Sequence, residues 1–198
     1  MKKSISVLFL LFTVTFLFAQ EEKKEALGDI PAGLQFVKAG LSFASSKTGD
    51  NKTNSFSVIP VYGRFVAPNL SFALGVSYNS STSEGAGGTT TADSNGLTFL
   101  GLSRQYKHVA KPFFMFLQED ISYSSSKDKI SDVKTNGFSI GISPGFNYFM
   151  SDNLSIDVTL GRLGYGTSKT DIDGADSTNE FTLGFDMFSI GFGVLYSW

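Results

Sequence analysis

Apolar and polar residues alternate with a period of two through most of the chain beyond its first twenty residues. In Leu70-Ser71-Phe72-Ala73-Leu74-Gly75-Val76-Ser77-Tyr78 one face carries Leu, Phe, Leu, Val and Tyr, and the other Ser, Ala, Gly and Ser. Successive side chains of a strand point to opposite faces, so the pattern predicts strand, and no segment fits the helical period as well. It recurs in Phe138, Ile140 and Ile142 against Ser139, Gly141 and Ser143. A further case sets Leu154, Ile156, Val158 and Leu160 against Ser155, Asp157, Thr159 and Gly161. The last stretch places Phe188, Ile190, Phe192, Val194, Tyr196 and Trp198 opposite Ser189, Gly191 and Gly193, with a phase slip expected at Met187-Phe188. Eight strands are predicted, near 34–46, 54–66, 70–80, 96–107, 112–125, 136–149, 154–167 and 180–198.

The connections alternate in length. Those around 47–53, 81–95, 126–135 and 168–179 read as long polar loops, whereas Ala67-Pro68-Asn69, 108–111 and Ser151-Asp152-Asn153 carry the residues of short turns. Long and short connections in alternation suit an up-and-down meander, and a transmembrane barrel has short periplasmic turns and long external loops. An even strand count puts both termini on the short-turn side.

A soluble sandwich would bury the Phe/Leu face and show the other to water. The other face here is Gly, Ser and Ala rather than Lys, Glu and Arg. Of the 34 charged residues, apart from Lys107 and Glu180 at strand ends, only Lys38, Arg64, Arg104, Glu119, Asp120, Asp157, Arg162 and Asp186 fall inside the predicted strands. The expected arrangement is therefore inside-out: an eight-stranded antiparallel up-and-down transmembrane β-barrel, all-β, with large apolar residues on lipid and small ones in a narrow lumen. Tyr106, Phe113, Tyr148, Phe149, Tyr196 and Trp198 below, with Tyr78 and Tyr123 above, are read as interfacial girdles.

Composition narrows the chemistry. The chain has no cysteine and one histidine, and 16 basic against 18 acidic residues. That excludes disulfides and thiolate sites, leaves no His cluster for zinc, and offers no basic patch for nucleic acid. His108 stands in Lys107-His108-Val109-Ala110 without a carboxylate partner. The run Asp171-Ile172-Asp173-Gly174 lacks the helix pair and bidentate Glu of an EF-hand. No catalytic residue, cofactor or metal site is expected, and the chain is not read as an enzyme.

At the start, Lys2 and Lys3 precede the apolar run 5–18, with Ala19-Gln20 as a cleavage junction. That run is shorter than the ~20 residues of a spanning helix. Residues 1–19 are read as a signal peptide, 20–32 as a short charged periplasmic segment and 33–198 as the barrel.

The segment 138–166, FSIGISPGFNYFMSDNLSIDVTLGRLGYG, resembles the small outer-membrane barrel family of Bacteroidetes-type bacteria, whose shape is that of the OmpX and OmpA transmembrane domains. The matching features are Ser143-Pro144-Gly145, the pair Tyr148-Phe149, the Ser-Asp-Asn turn, and the run from Gly161 to Tyr165. Arg104-Gln105-Tyr106 and Pro112-Phe113-Phe114 are similar to the family's Arg-Tyr-Tyr turn followed by Pro-Phe. The final strand, with Phe188, Ile190, Phe192, Val194, Tyr196 and Trp198, is similar to the signal read by the barrel-assembly machinery. The resemblance implies a Gram-negative outer membrane, lipid and that machinery as partners, and periplasmic termini. It transfers no catalytic or ligand residue, and the partner of the external loops is unknown.

The function expected is a structural or surface-interaction role through the external loops. The alternative is a narrow porin-like channel for ions or small solutes. A lipid-modifying enzyme lacks a His/Ser or acid/Ser cluster, and a lipocalin-like binder would need an apolar lumen. Lys38, Glu119, Asp120 and Asp157 are expected to form a polar network in the lumen, with Lys38 and Asp157 pairing across it. Arg64 and Arg104 take lipid-face parity near periplasmic strand ends, and bulges are expected at Pro144-Gly145 and Pro60.

Overall fold

The structure, a computed structural model, describes residues 29–110, 112–172, 174–184 and 191–198. Its strands are β1 (Gln35–Thr48), β2 (Asn51–Ala67), β3 (Leu70–Glu84), β4 (Thr90–Ala110), β5 (Phe113–Asp128), β6 (Lys134–Phe149), β7 (Leu154–Thr159), β8 (Arg162–Thr170), β9 (Thr178–Gly184) and β10 (Gly191–Ser197). Each of the first six pairs antiparallel with the next, and β1 also pairs with β10. Both β7 and β8 lie against β6, and β10 and β9 lie against β7 and β8 in turn. These four segments therefore fill two strand positions, and the ladders close into an eight-stranded up-and-down barrel. The ring closes through β1–β10 over residues 36–39, the closed form in which β-structure spans lipid, while that same side of residues 40–48 of β1 and the far side of β9 have no ladder partner among the described residues.

The outward face is apolar, with exposed Leu41, Phe43, Tyr62, Phe72, Leu74, Phe99, Tyr123, Phe181 and Leu183. Tyrosines mark its two margins. Tyr123 and Tyr165 donate through their hydroxyls to Asn136 and Asn179 on the neighbouring strands, and Tyr62 at the opposite end donates to Gln35. Along β5, Tyr123 lies ten residues beyond Phe113. A tilted strand climbs roughly 2.6 Å per residue, so this span matches an apolar band ~25 Å tall.

Most residues of the predicted external loops are strand. β3 runs to Glu84, β4 begins at Thr90, and Gly49 and Asp50 alone separate β1 from β2. The ladders carry Ser, Thr and Asn pairs such as Ser45↔Asn54, Ser46↔Thr53 and Asn54↔Thr82 well above the Tyr level. With 21 residues, β4 reaches roughly 55 Å, twice the apolar band, so the barrel continues as a polar crown. Polarity alone suggested loops there; cross-strand hydroxyl and amide pairing keeps the strands going.

Neither proline is a bulge. The β2–β3 register is the same above and below Pro60, and the β5–β6 ladder runs unbroken through Pro144 and Gly145. The irregularity lies opposite Pro144. Leu160 N–H donates to Pro144 O at 2.8 Å, Pro144 has no N–H to return, and Gly161 follows at φ 68°. One extra residue there separates β7 from β8 and shifts their register against β6 by one. Outward parity is odd in β9, with Phe181 and Leu183, and even in β10, with Tyr196. The phase reverses between them. The predicted slip at Met187-Phe188, together with Asp186, Phe188 and Ile190, lies outside the described residues.

Candidate functional site: the filled lumen

The lower lumen is a stack of rings rather than a gathering of small residues. Phe36, Phe65, Tyr106, Phe114 and Phe116 are each at most 5% exposed and form one cluster with Ile30, Val61 and Ala73. The centroids of Phe36–Phe65, Phe65–Tyr106 and Tyr106–Phe116 are 5.4–5.8 Å apart, the spacing of favourable tilted and edge-on ring pairs. Glycines make the room. A Cβ on Gly145 would collide with the Phe116 ring, and one on Gly63 with Phe36. Tyr106 and Phe149, read as girdle residues, belong to this interior: Tyr106 is 4% exposed and Phe149 packs against the cluster. Exposed Phe113, Tyr148, Tyr196 and Trp198 stay on the outer surface, the last two with rings 6.1 Å apart.

The chain closes this end itself. Asn69, at φ 61° in the turn between β2 and β3, accepts from Ile30 N–H at 2.9 Å and donates its own N–H to Ile30 O at 3.0 Å. Its side-chain amide donates to Asp29 at 2.7 Å. Those bonds hold Ile30, 4% exposed, in the mouth beneath the aromatic stack.

Above the rings sits an ionic cluster. Asp157 is fully buried, and its Oδ2 accepts from Lys38 Nζ at 2.6 Å and from Arg104 Nη2 at 2.7 Å. Arg104 also donates from Nε to Gln118 Oε1 at 2.8 Å and from Nη1 to the Tyr106 hydroxyl, while its guanidinium lies 4.2 Å over the Phe116 ring. Every nitrogen of the guanidinium is used. Two cations share one carboxylate, so desolvation consumes much of the Coulombic gain, and the cluster fixes the lumen's arrangement more than it stabilises the fold.

Arg104 therefore departs from its lipid-face parity. The β3–β4 and β4–β5 ladders have no register shift near it, and residues 96, 98, 100, 102, 104 and 106 of β4 all point inward. Leu100 and Leu102 are thus interior residues, which their hydrophobicity hid from sequence reading. Arg64 keeps its outward, exposed position at the lower margin.

A second pair lies higher. Arg162 Nη2 donates to Asp120 Oδ2 at 2.5 Å and to Ser139 Oγ at 3.3 Å. A Cβ on Gly141 would collide with Arg162 Nε, so the guanidinium needs that glycine. Glu119 is not in the lumen. The ladders on both sides of β5 are unbroken, so Asp120 turns inward and Glu119 outward, between Leu117 and Ile121. Only a bulge in β5 could bring both acids inside, and the register of both ladders is unshifted there.

The upper lumen is lined by hydroxyls: Ser122 and Ser139 are 2.8 Å apart, and Thr53 and Ser83 3.0 Å apart. Lys38 and Arg162 side chains keep 19% and 39% of their surface accessible. Of the C-terminal row, Tyr196 and Trp198 are exposed; Phe192 and Val194 lie in β10, whose ladders place Val194 against Ala39 and Phe192 against Val158.

No protein-family model matches the chain, and no curated protein matches its sequence. Among solved structures, Neisserial surface protein A is similar over 86% of this chain and 99% of its own, at 15% identity and a TM-score of 0.50. The outer membrane protein OprG from Pseudomonas aeruginosa is similar over 84% of this chain and 97% of its own, at 14% identity and a TM-score of 0.49. A major outer membrane protein from Thermus thermophilus follows at 16% identity and 0.39, over 84% of this chain and 100% of its own. At these identities the likeness is one of fold: the chain has the fold of a small outer-membrane β-barrel.

Proposed function

We propose that this chain resides in a Gram-negative outer membrane with its termini in the periplasm, and acts there without catalysis, through a structural or surface-interaction role of its external crown. The observation that carries this reading is the blocked lower lumen. Five aromatic rings, Ile30 and the Lys38–Asp157–Arg104 cluster fill the section that a solute would have to cross. The crown, in contrast, presents an ordered rim of Ser, Thr, Asn and charged side chains, as at Lys129–Asp93 and Lys127–Asp132. The motif resemblance to the Bacteroidetes-type barrels and the likeness in fold to Neisserial surface protein A support the location. The C-terminal row ending in Trp198 is the proposed contact for the barrel-assembly machinery.

The alternative, a narrow channel, draws support from the accessible Lys38 and Arg162 side chains. Planar-bilayer recording of the refolded chain separates the two. Silence is expected, and reproducible conductance steps would replace the surface role with the channel.

A further inference from the structure

Glu119 is the exception on the outer wall. It sits six residues above Phe113 and four below Tyr123, within the apolar band, with Leu117 and Ile121 on either side along β5. It has no hydrogen bond or ion pair among the described residues. An ionisable side chain on the lipid face is costly and marks a site of contact more often than an ornament of the surface. Its surroundings differ from the rest of the wall. Its cross-strand neighbour on β4 is Ser103, and the outward row there reads Gly101, Ser103, Gln105 where the neighbouring β3 carries Leu74, Phe72 and Leu70 in register. Arg64, the comparable charge on β2, stands at the band's lower margin, where it reaches headgroups.

We infer that the β4–β5 face is a contact between two copies of this chain within the membrane, with Glu119 of each copy bonded to Ser103 and Gln105 of the other. A second copy fits because the patch is complementary to itself. Glu119 supplies the acceptor, and Ser103 and Gln105 supply hydroxyl and amide donors on the adjacent strand. A two-fold axis along the membrane normal brings each group to the partner's groups at its own depth, and Glu119 and Ser103 are directly paired in register. Lipid tails offer the carboxyl no partner. Between barrels in lipid no hydrophobic gain drives association, so close packing and polar bonds must, and Gly101, which has no side chain, and the small Ser103 permit the approach.

The absence of cysteine makes the test clean. Leu117→Cys reports on the β4–β5 face, and Leu41→Cys, 74% exposed on β1, reports on the far side of the barrel. Both variants of the full chain are refolded into lipid vesicles and treated with a short thiol-to-thiol crosslinker. Dimer is expected from Leu117→Cys and not from Leu41→Cys. Adding Glu119→Leu to Leu117→Cys should lower the crosslinked fraction about tenfold, whereas Glu119→Gln, which still bonds, should keep it. The heat-dependent gel shift of an intact barrel reports folding of each variant. If Glu119→Leu fails to fold, Gln105→Leu removes the same contact from its other side. Equal crosslinking at residues 41 and 117, or an undiminished yield from folded Glu119→Leu, would overturn the inference.

Discussion

The two halves of the lumen are built on opposite principles. The lower half is packed like a protein core, with aromatic rings stacked over glycines and three charged side chains paired above them. The upper half is lined by small hydroxyl-bearing residues joined in short cross-strand bonds. Burial explains the difference in what each can contribute. Removing a buried ring or the sole counter-ion leaves a cavity or a bare charge, whereas removing an exposed hydroxyl returns its partner to water. Stability should therefore reside below and adaptability above.

The largest expected effect is at Asp157. Asp157→Leu leaves Arg104 and Lys38 without their carboxylate and should cost about 3–5 kcal/mol, read as a lowered urea midpoint in lipid vesicles. Adding Lys38→Met should recover part of that loss, because one fewer cation then remains unpaired. Phe65→Ala opens a hole between Phe36 and Tyr106 and should cost about 3–5 kcal/mol by the same assay. Ser83→Ala in the crown removes only the bond to Thr53 and should fall within about 0.5 kcal/mol. A loss as large as that at Phe65 would erase the distinction between the halves.

The smallest effect is a pH response confined to the crown. Asp128 accepts from the backbone N–H groups of Ser131 and Ile130, and these hold its carboxyl below the usual range. Lys127 does the same for Asp132 through its hydrogen bond. A depressed folded pKa gives stability that is full above the ordinary carboxylate value of about 3.9 and is lost as pH falls through the folded value. Protection of the Ile130 and Ser131 amides, measured relative to their intrinsic exchange rates, should thus hold at neutral pH and be lost only in strong acid, while that of the lower barrel is unchanged.

The sequence made the outer wall legible because lipid exposure demands a strict period of two, as from Leu70 to Tyr78. It made Lys38 and Asp157 noticeable because charges in strands are scarce. Arg104 escaped because Leu97 and Phe99 face out while Leu100 and Leu102, two alternate positions of equal hydrophobicity, face in. An aromatic-filled lumen looks like a lipid face on composition alone, so the positions of Phe36, Phe65 and Phe116 needed the register to place them. The bulge at Leu160-Gly161 is set by the proline across the ladder, a long-range cause that local pattern does not carry. The crown was missed for the opposite reason, since its Ser- and Thr-rich strands have the composition of loops.

The inside-out arrangement is plainest in the wall from residue 72 to 77, where Phe72, Leu74 and Val76 are exposed and Ala73 and Ser77 are buried. Single cysteines at these six positions, each carrying a spin label in vesicles, should alternate between collision with dissolved oxygen and shielding from it. Residues 72, 74 and 76 should be lipid-accessible, with a water-soluble nickel complex excluded from them. Alternation in the reverse sense, or nickel access to residues 72, 74 and 76, would contradict an apolar exterior solvated by lipid.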